Sequence, residues 1–416
     1  MAQPQAPSVA NEPVGWIMVA LASVITGMGF GALVSVTVFL EPLEADFGWL
    51  RTNTSFAYMG GNIMAGLGGI FAGWLSDRHT TAPVILMGAI SLGASFVLLA
   101  LMQTLNEFYL IYWFALGGFG ISAFLVPLIN SIAFWFNKNR GLAISVTMAG
   151  QTGGAAVIPY FSTLLMKTYS WRETYLILAL ASWAILIPLC FLWRDPPGLA
   201  ALKAQVRAHS ESRRGQPTVI NPNLLVAVLS LAILGCCVNM TIPLVHLVPL
   251  VRTYRFDPQQ SAGALSVLVV ASVFGRIFFG KVMDKIGGTR TLLITSGMQT
   301  LSIFWFTQTG DLTMLYGLAA IFGLGYAGVL PCYPVIINGL VPAHLTGRSV
   351  GIVFFMGYLA MGLGGWIGGI LFDVTGNYVT TYAMGVVSGV FNLAIILWLH
   401  LHVNRRQAHI ATLQAA

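Results

Sequence analysis

Charge is what this chain lacks most. Of its 416 residues 8% are Asp, Glu, Lys or Arg, against about 25% in soluble globular domains. So few charges cannot solvate a chain of this size, and its 57% apolar residues must face lipid instead. Cysteine is scarce too. Cys190, Cys236, Cys237 and Cys332 all fall within apolar runs, which leaves no disulfide framework and no metal-ligand spacing, so they read as small packing residues. Polar stretches of domain length are missing, and no nucleophile–base set or metal cluster is present. Catalysis, a bound cofactor and a metal centre are therefore not expected.

What is present is apolar chain of spanning length. About 20 apolar residues cross a bilayer as a helix, and lipid admits only helices and closed barrels. Twelve such runs stand at roughly 14–40, 54–75, 82–102, 108–134, 141–166, 174–193, 223–250, 260–280, 290–308, 313–337, 349–371 and 379–402. The 46 glycines do not argue against helices, because small residues let membrane helices approach closely. With the N-terminus inside, these spans put 14 of the 20 Lys and Arg on the cytoplasmic side, among them Arg78, Arg140, Lys203, Arg214, Lys285, Arg348 and Arg406. Five fall outside: Arg51, Lys167, Arg172, Arg252 and Arg255. That is the positive-inside bias. The net charge of +7 is thus a topology signal, and no nucleic-acid partner is expected. Residues 1–13 are too polar for a cleaved signal peptide, so the first span is itself the targeting signal. The expectation is a multi-pass protein of a cytoplasmic (inner) membrane, both termini cytoplasmic, with the lipid bilayer around it.

One signal occurs twice: Gly73-Trp74-Leu75-Ser76-Asp77-Arg78, and 207 residues later Gly280-Lys281-Val282-Met283-Asp284-Lys285. The same offset takes Leu40, Pro42 and Leu43 to Leu247, Pro249 and Leu250, and Tyr175 to Tyr382. Four regions in one register describe a duplicated membrane unit, the mark of secondary transporters. The expected fold is all-α, with twelve transmembrane helices in two pseudo-symmetric six-helix bundles. Residues 1–193 form the first bundle, 194–220 a basic cytoplasmic linker opened by Asp195-Pro196-Pro197-Gly198, and 221–416 the second bundle with a short cytoplasmic tail.

These features together resemble the major facilitator superfamily over nearly the whole chain. Its Gly-x-x-x-Asp-Arg/Lys motif between helices 2–3 and 8–9 is matched well by Gly280 to Arg290 and departed from after Arg78, where His79-Thr80 replaces the usual Gly-Arg. Within the superfamily the chain resembles the monocarboxylate transporter branch and its bacterial relatives, which include oxalate–formate exchangers. The carriers of that likeness are Glu12-Pro13-Val14-Gly15-Trp16, Val34 to Phe39, Asn139-Arg140-Gly141-Leu142-Ala143, and Gly275-Arg276 in helix 8. The resemblance implies a substrate-binding arginine at Arg276. It also exposes departures. The acid that proton-coupled members carry one turn earlier is Ser272 here, and their helix 1 lysine falls at Val34.

Residue chemistry points to Arg276 independently, as the one Lys or Arg inside a span. An arginine at the centre of a membrane helix costs at least about 2.5–3.5 kcal/mol, so it normally faces a bundle interior or a wet cavity. There a guanidinium can grip a carboxylate with two parallel hydrogen bonds. The bland alternative is snorkelling, or a bond to helix-end carbonyls. Tyr326, Tyr333 and Tyr382 are candidate hydroxyl contacts, each with a packing alternative. Asn239 is a mid-span amide that either binds substrate or glues helices. His246, near the outer end of helix 7, is the candidate for proton coupling. Asp77, Arg78, Asp284 and Lys285 are expected to gate, through charge pairs and helix-end contacts that hold the outward-facing state.

One intramembrane cation and no intramembrane carboxylate favour a monoanion with a small apolar body, such as L-lactate or pyruvate. The expected protein is a secondary active transporter of small organic anions, working by alternating access, proton-coupled, as a monomer, with a proton or a counter-anion as its second partner. A dicarboxylate exchanger of the oxalate–formate type and a multidrug or metabolite efflux carrier are the alternatives.

Overall fold

The structure, a computed structural model, describes residues 12–49, 51–136, 138–199 and 220–415. Most of the expected basic linker, with Lys203, Arg207, Arg213 and Arg214, lies outside the described residues, as does most of the N-terminal segment before Pro13.

The described chain is helical throughout. The helices are α1 (Glu12–Phe47), α2 (Arg51–Arg78), α3 (Thr81–Leu101), α4 (Leu105–Trp135), α5 (Arg140–Leu165), α6 (Trp171–Leu192), α7 (Pro222–Thr253), α8 (Pro258–Ile286), α9 (Gly288–Phe306), α10 (Leu312–Leu340), α11 (Ala343–Thr375) and α12 (Tyr378–Ala415). Among the described residues ten of them are long and apolar enough to cross a membrane. The remaining two are α2, rich in glycine with a buried Asn62, and α9, which buries a row of Thr, Ser and Gln side chains.

Helix ends follow local chemistry. Ser170 and Glu173 form a reciprocal capping box at the start of α6, Thr104 and Glu107 at the start of α4, and Asp257 and Gln260 at the start of α8. Each such box satisfies two amides that a helix start leaves unpaired. Between α8 and α9 the chain turns at Gly287 with φ +87°, a left-handed value that favours glycine. The middle of α4, Ile111–Ile121, winds as a π-helix.

The chain divides into two compact units. The first holds residues 1–208 together with Ala343–Phe355, and the second holds 209–342 together with 356–416. The first thirteen residues of α11 thus group with the N-terminal half.

In the first unit α1 and α5 meet through small residues. A Cβ at Gly150 or Gly154 would run into the backbone of Ser23 or Gly27. At that approach Ser23 Oγ donates to the Val146 carbonyl (3.0 Å) and Thr26 Oγ1 to the Thr147 carbonyl (3.1 Å). At the other end, Arg172 Nη1 donates to the carbonyls of Ala100 (2.7 Å) and Met102 (3.0 Å), closing the last turn of α3. Asp195 does the converse for the start of α3. Its carboxylate accepts from the Thr81 amide (2.9 Å), from Ser131 Oγ (3.2 Å) and from Trp193 Nε1 (3.2 Å).

The second unit repeats this architecture on different side chains. A Cβ at Gly61 would press on the Tyr112 ring of α4, and Gly117 lies against the Gly61 carbonyl. In the second unit Gly323 of α10 lies against the carbonyl of Leu268, the counterpart of Gly61. Trp171 and Tyr175 meet edge-on at 6.2 Å and 89°, and their counterparts Tyr378 and Tyr382 do so at 6.5 Å and 85°. The 207-residue offset read from the sequence is therefore an offset between like environments.

Candidate substrate site

Arg276 lies on α8 next to Gly275. A Cβ at Gly275 would come within 2.5 Å of the Leu324 carbonyl, so glycine lets α8 and α10 touch backbone to backbone. That approach puts Arg276 beside α10, with its guanidinium carbon 5.9 Å from the centre of the Tyr326 ring. Tyr326 in turn stacks on Phe322 (6.4 Å, 5°). The arginine is 2% exposed, and its Nε and Nη1 have no hydrogen-bond partner among the described residues. A buried charge is normally paired and hydrogen-bonded. Here it rests on an aromatic face, where a cation is attracted to the ring, and two of its nitrogens keep their donors free. One turn earlier, Ser272 is fully buried, and its hydroxyl donates to the Val269 carbonyl at 2.7 Å.

The other expected ligands stand in different surroundings. Tyr333, fully buried on α10, accepts a hydrogen bond from Asn392 Nδ2 of α12 at 3.2 Å. Tyr382 sits in an apolar cluster with Phe306, Phe322, Leu268 and Ile303, and its hydroxyl has no partner among the described residues. Asn239 donates through Nδ2 to Thr300 Oγ1 of α9 at 3.1 Å, the role of a helix-to-helix tie, while its Oδ1 is unpartnered. His246 Nε2 lies 3.1 Å from the Gly365 carbonyl of α11. A carbonyl only accepts, so Nε2 carries the proton and Nδ1 is the basic nitrogen. Of the five expected binding residues, the structure thus brings Arg276 and Tyr326 together and gives the other three partners or neighbours of their own.

The expected gating residues divide as well. Asp77 accepts from the backbone amides of Gly347 and Arg348, both at 3.2 Å, near the start of α11 within the first unit. A Cβ on Gly347 would fall 2.5 Å from both Asp77 Oδ1 and the Gly73 carbonyl. Gly73, Asp77 and Gly347 therefore form one close contact. Arg78 is exposed and lies over the Trp74 ring at 4.2 Å. Asp284 and Lys285 are exposed at the end of α8.

A sequence model described as the Major Facilitator Superfamily matches residues 19–365. The chain belongs to the Major Facilitator Superfamily. It is similar to an uncharacterized MFS-type transporter, YcxA, of Bacillus subtilis (strain 168), with 26% identity over 369 residues covering 85% of this chain and 87% of that one. It is also similar to monocarboxylate transporter 13 of Rattus norvegicus (26% identity, 91% and 87% covered) and to monocarboxylate transporter 2 of Homo sapiens (24% identity, 95% and 87% covered). Among solved structures it resembles the proton:xylose symporter XylE bound to 6-bromo-6-deoxy-D-glucose. The TM-score is 0.76 at 15% identity, with 94% of this chain and 96% of that one covered, a likeness of fold. The chain is thus a multi-pass membrane transporter of the superfamily's twelve-helix fold, and its family and relatives are transporters rather than enzymes.

Three features of this superfamily member were not singled out in the sequence. The first is the α11 partner of Asp77, which lies 270 residues away and leaves no local trace. The second is the fully buried Gln299 on α9, with both amide atoms unpartnered among the described residues. The third is Asn392 on α12. A signal for Gln299 does exist: Thr291, Thr295, Gln299 and Ser302 recur at helical spacing and all are buried, a polar face where lipid-facing helices carry none.

Proposed function

We propose that this transporter carries small monocarboxylates such as L-lactate or pyruvate, with Arg276 as the group that binds the carboxylate. The observation that carries the reading is the guanidinium itself, buried on the Tyr326 ring with Nε and Nη1 free to donate. A carboxylate is the anion a guanidinium binds best, and either free nitrogen can donate to one of its oxygens. One fixed cation neutralises one carboxylate and leaves a small apolar body to be held by the aromatic side chains beside it. The names of the monocarboxylate transporter relatives support the same substrate class.

In this reading transport proceeds by alternating access. Binding at Arg276 gives the substrate the differential affinity that any shift between states requires. Coupling is to protons, and the acid of the usual helix 8 relay is replaced by a serine whose hydroxyl is already bonded within its own helix. The proton then travels on the substrate carboxylate or on Nδ1 of His246. Asp77 and the start of α11 form a contact that breaks and re-forms in the cycle, and Arg78, Asp284 and Lys285 share the gating role. The protein works as a monomer in the cytoplasmic membrane, with both termini inside.

The test is uptake of radiolabelled L-lactate into proteoliposomes, with and without an inward proton gradient. Wild type should show gradient-driven uptake, and Arg276→Gln should lose at least about 90% of it, the tenfold that 1.4 kcal/mol represents. Uptake by folded Arg276→Gln equal to wild type removes the arginine from the site. A His246→Gln variant that keeps the full gradient dependence leaves the substrate as the proton carrier.

A further inference from the structure

We infer that the second unit binds a single structural water where α7, α9 and α12 meet, held by Asn239 Oδ1, Asn392 Oδ1 and Ser296 Oγ. These three atoms have no hydrogen-bond partner among the described residues, and their residues are 1%, 0% and 2% exposed.

The identity of the two amide oxygens is fixed by what the nitrogens do. Asn392 Nδ2 donates to the Ala232 carbonyl at 2.6 Å and to Tyr333 Oη at 3.2 Å. A carbonyl can only accept, so the nitrogen must face it and the oxygen must face away. Asn239 Nδ2 donates to Thr300 Oγ1, whose own proton goes to the Ser296 carbonyl at 2.8 Å. That hydroxyl can therefore only receive, and Asn239 is oriented as well. Two buried acceptors of known position are left without donors.

Helix register places the three residues within about one turn of a common layer. A Cβ on Gly389 would lie 2.6 Å from Asn239 Nδ2, and one on Gly235 would lie 3.3 Å from the backbone nitrogen of Asn392. Gly389, Asn239 and Thr300 thus form one layer across α12, α7 and α9. Asn392 follows Gly389 by three residues on α12, and Ser296 precedes Thr300 by four on α9. Both lie one turn from that layer. They lie on the same side of it, because Asn392 bonds to Ala232, which precedes Asn239 on α7.

Two acceptors and one hydroxyl match a water molecule. The water donates a proton to each amide oxygen and accepts the Ser296 hydroxyl, the three bonds a buried water typically makes. A hard cation takes about six or more oxygens and prefers carboxylates, and three neutral oxygens fall short of that. Through the water, a chain runs from Tyr333 through Asn392 to Asn239 and Thr300. It ties α7, α9, α10 and α12 by side chains that no charge interrupts.

A high-resolution map of the purified full chain tests this directly. A density peak is expected at about 2.7–3.2 Å from all three atoms. Absence of a peak, in a map that resolves other buried waters, overturns the proposal. So does a peak ringed by five or more oxygens at about 2.4 Å, the pattern of a cation. Thermal unfolding gives a second reading that does not depend on density. Ser296→Ala and Asn239→Leu should each lower the Tm by a few degrees, and the double variant by less than their sum, because the two side chains share one ligand. Additive losses overturn the shared water. The Tm should be equal in sodium and choline chloride, and a rise specific to sodium assigns the site to an ion instead.

Discussion

A guanidinium taken out of water gives up strong hydration, and the neighbours of Arg276 restore only part of it. The ring of Tyr326 lies beside it, and such a contact is worth about 0.5–2 kcal/mol. It also holds the flat cation in one orientation before any substrate arrives. Two substitutions separate the part of the ring from that of the hydroxyl, which also interacts with the guanidinium. Tyr326→Phe keeps the face and should leave the KM for lactate within about twofold of wild type. Tyr326→Leu removes the face and should raise KM by about 2–30-fold, the equivalent of that energy range. Concentration-dependent uptake measures both, and a wild-type KM in Tyr326→Leu would detach the tyrosine from the site. Tyr333 and Tyr382 carry no such expectation of their own, since one is bonded to Asn392 and the other is enclosed by Phe306 and its neighbours.

Between elements, glycine decides which helices can touch, and the contact of Gly73 and Gly347 shows how little room is left. Asp77 reaches two amides of α11 because neither partner at the crossing carries a Cβ. Carboxylates near a helix start are favoured by about 0.3–1 kcal/mol, since unpaired amides there point outward. If this contact breaks and re-forms during transport, damaging it should slow turnover and leave substrate affinity alone. Gly347→Ala forces the new Cβ against the Asp77 carboxylate and the Gly73 carbonyl, and should lower the maximal rate of lactate uptake several-fold with KM unchanged. Gly297→Ala is the control. Nothing lies within 4 Å of a Cβ there, so its uptake should match wild type. A maximal rate for Gly347→Ala equal to that of the control would leave the contact a packing detail. The duplicated motif containing Asp77 was legible in the sequence because it repeats. Its partner was not, because a contact made to backbone amides imposes no residue type except the glycine that must be small.

At the scale of the whole molecule, what was legible is what lipid enforces. A bilayer demands helices of a fixed length and tolerates few charges, so composition and run length sufficed for the all-helical twelve-span fold. What escaped was everything lipid does not dictate: the polar face of α9, the π-helical turn of α4 and the grouping of Ala343–Phe355 with the first unit. These depend on how protein meets protein. Orientation lies between the two, since the bias of Lys and Arg predicts it without any packing. All four cysteines are buried, so a membrane-impermeant maleimide should leave the native protein unlabelled and report only on cysteines added at exposed positions. Arg406 on the tail of α12 and Gln308 between α9 and α10 are both exposed. With both termini cytoplasmic, Gln308→Cys should label in intact cells and Arg406→Cys only after permeabilisation. The reverse pattern would invert the topology.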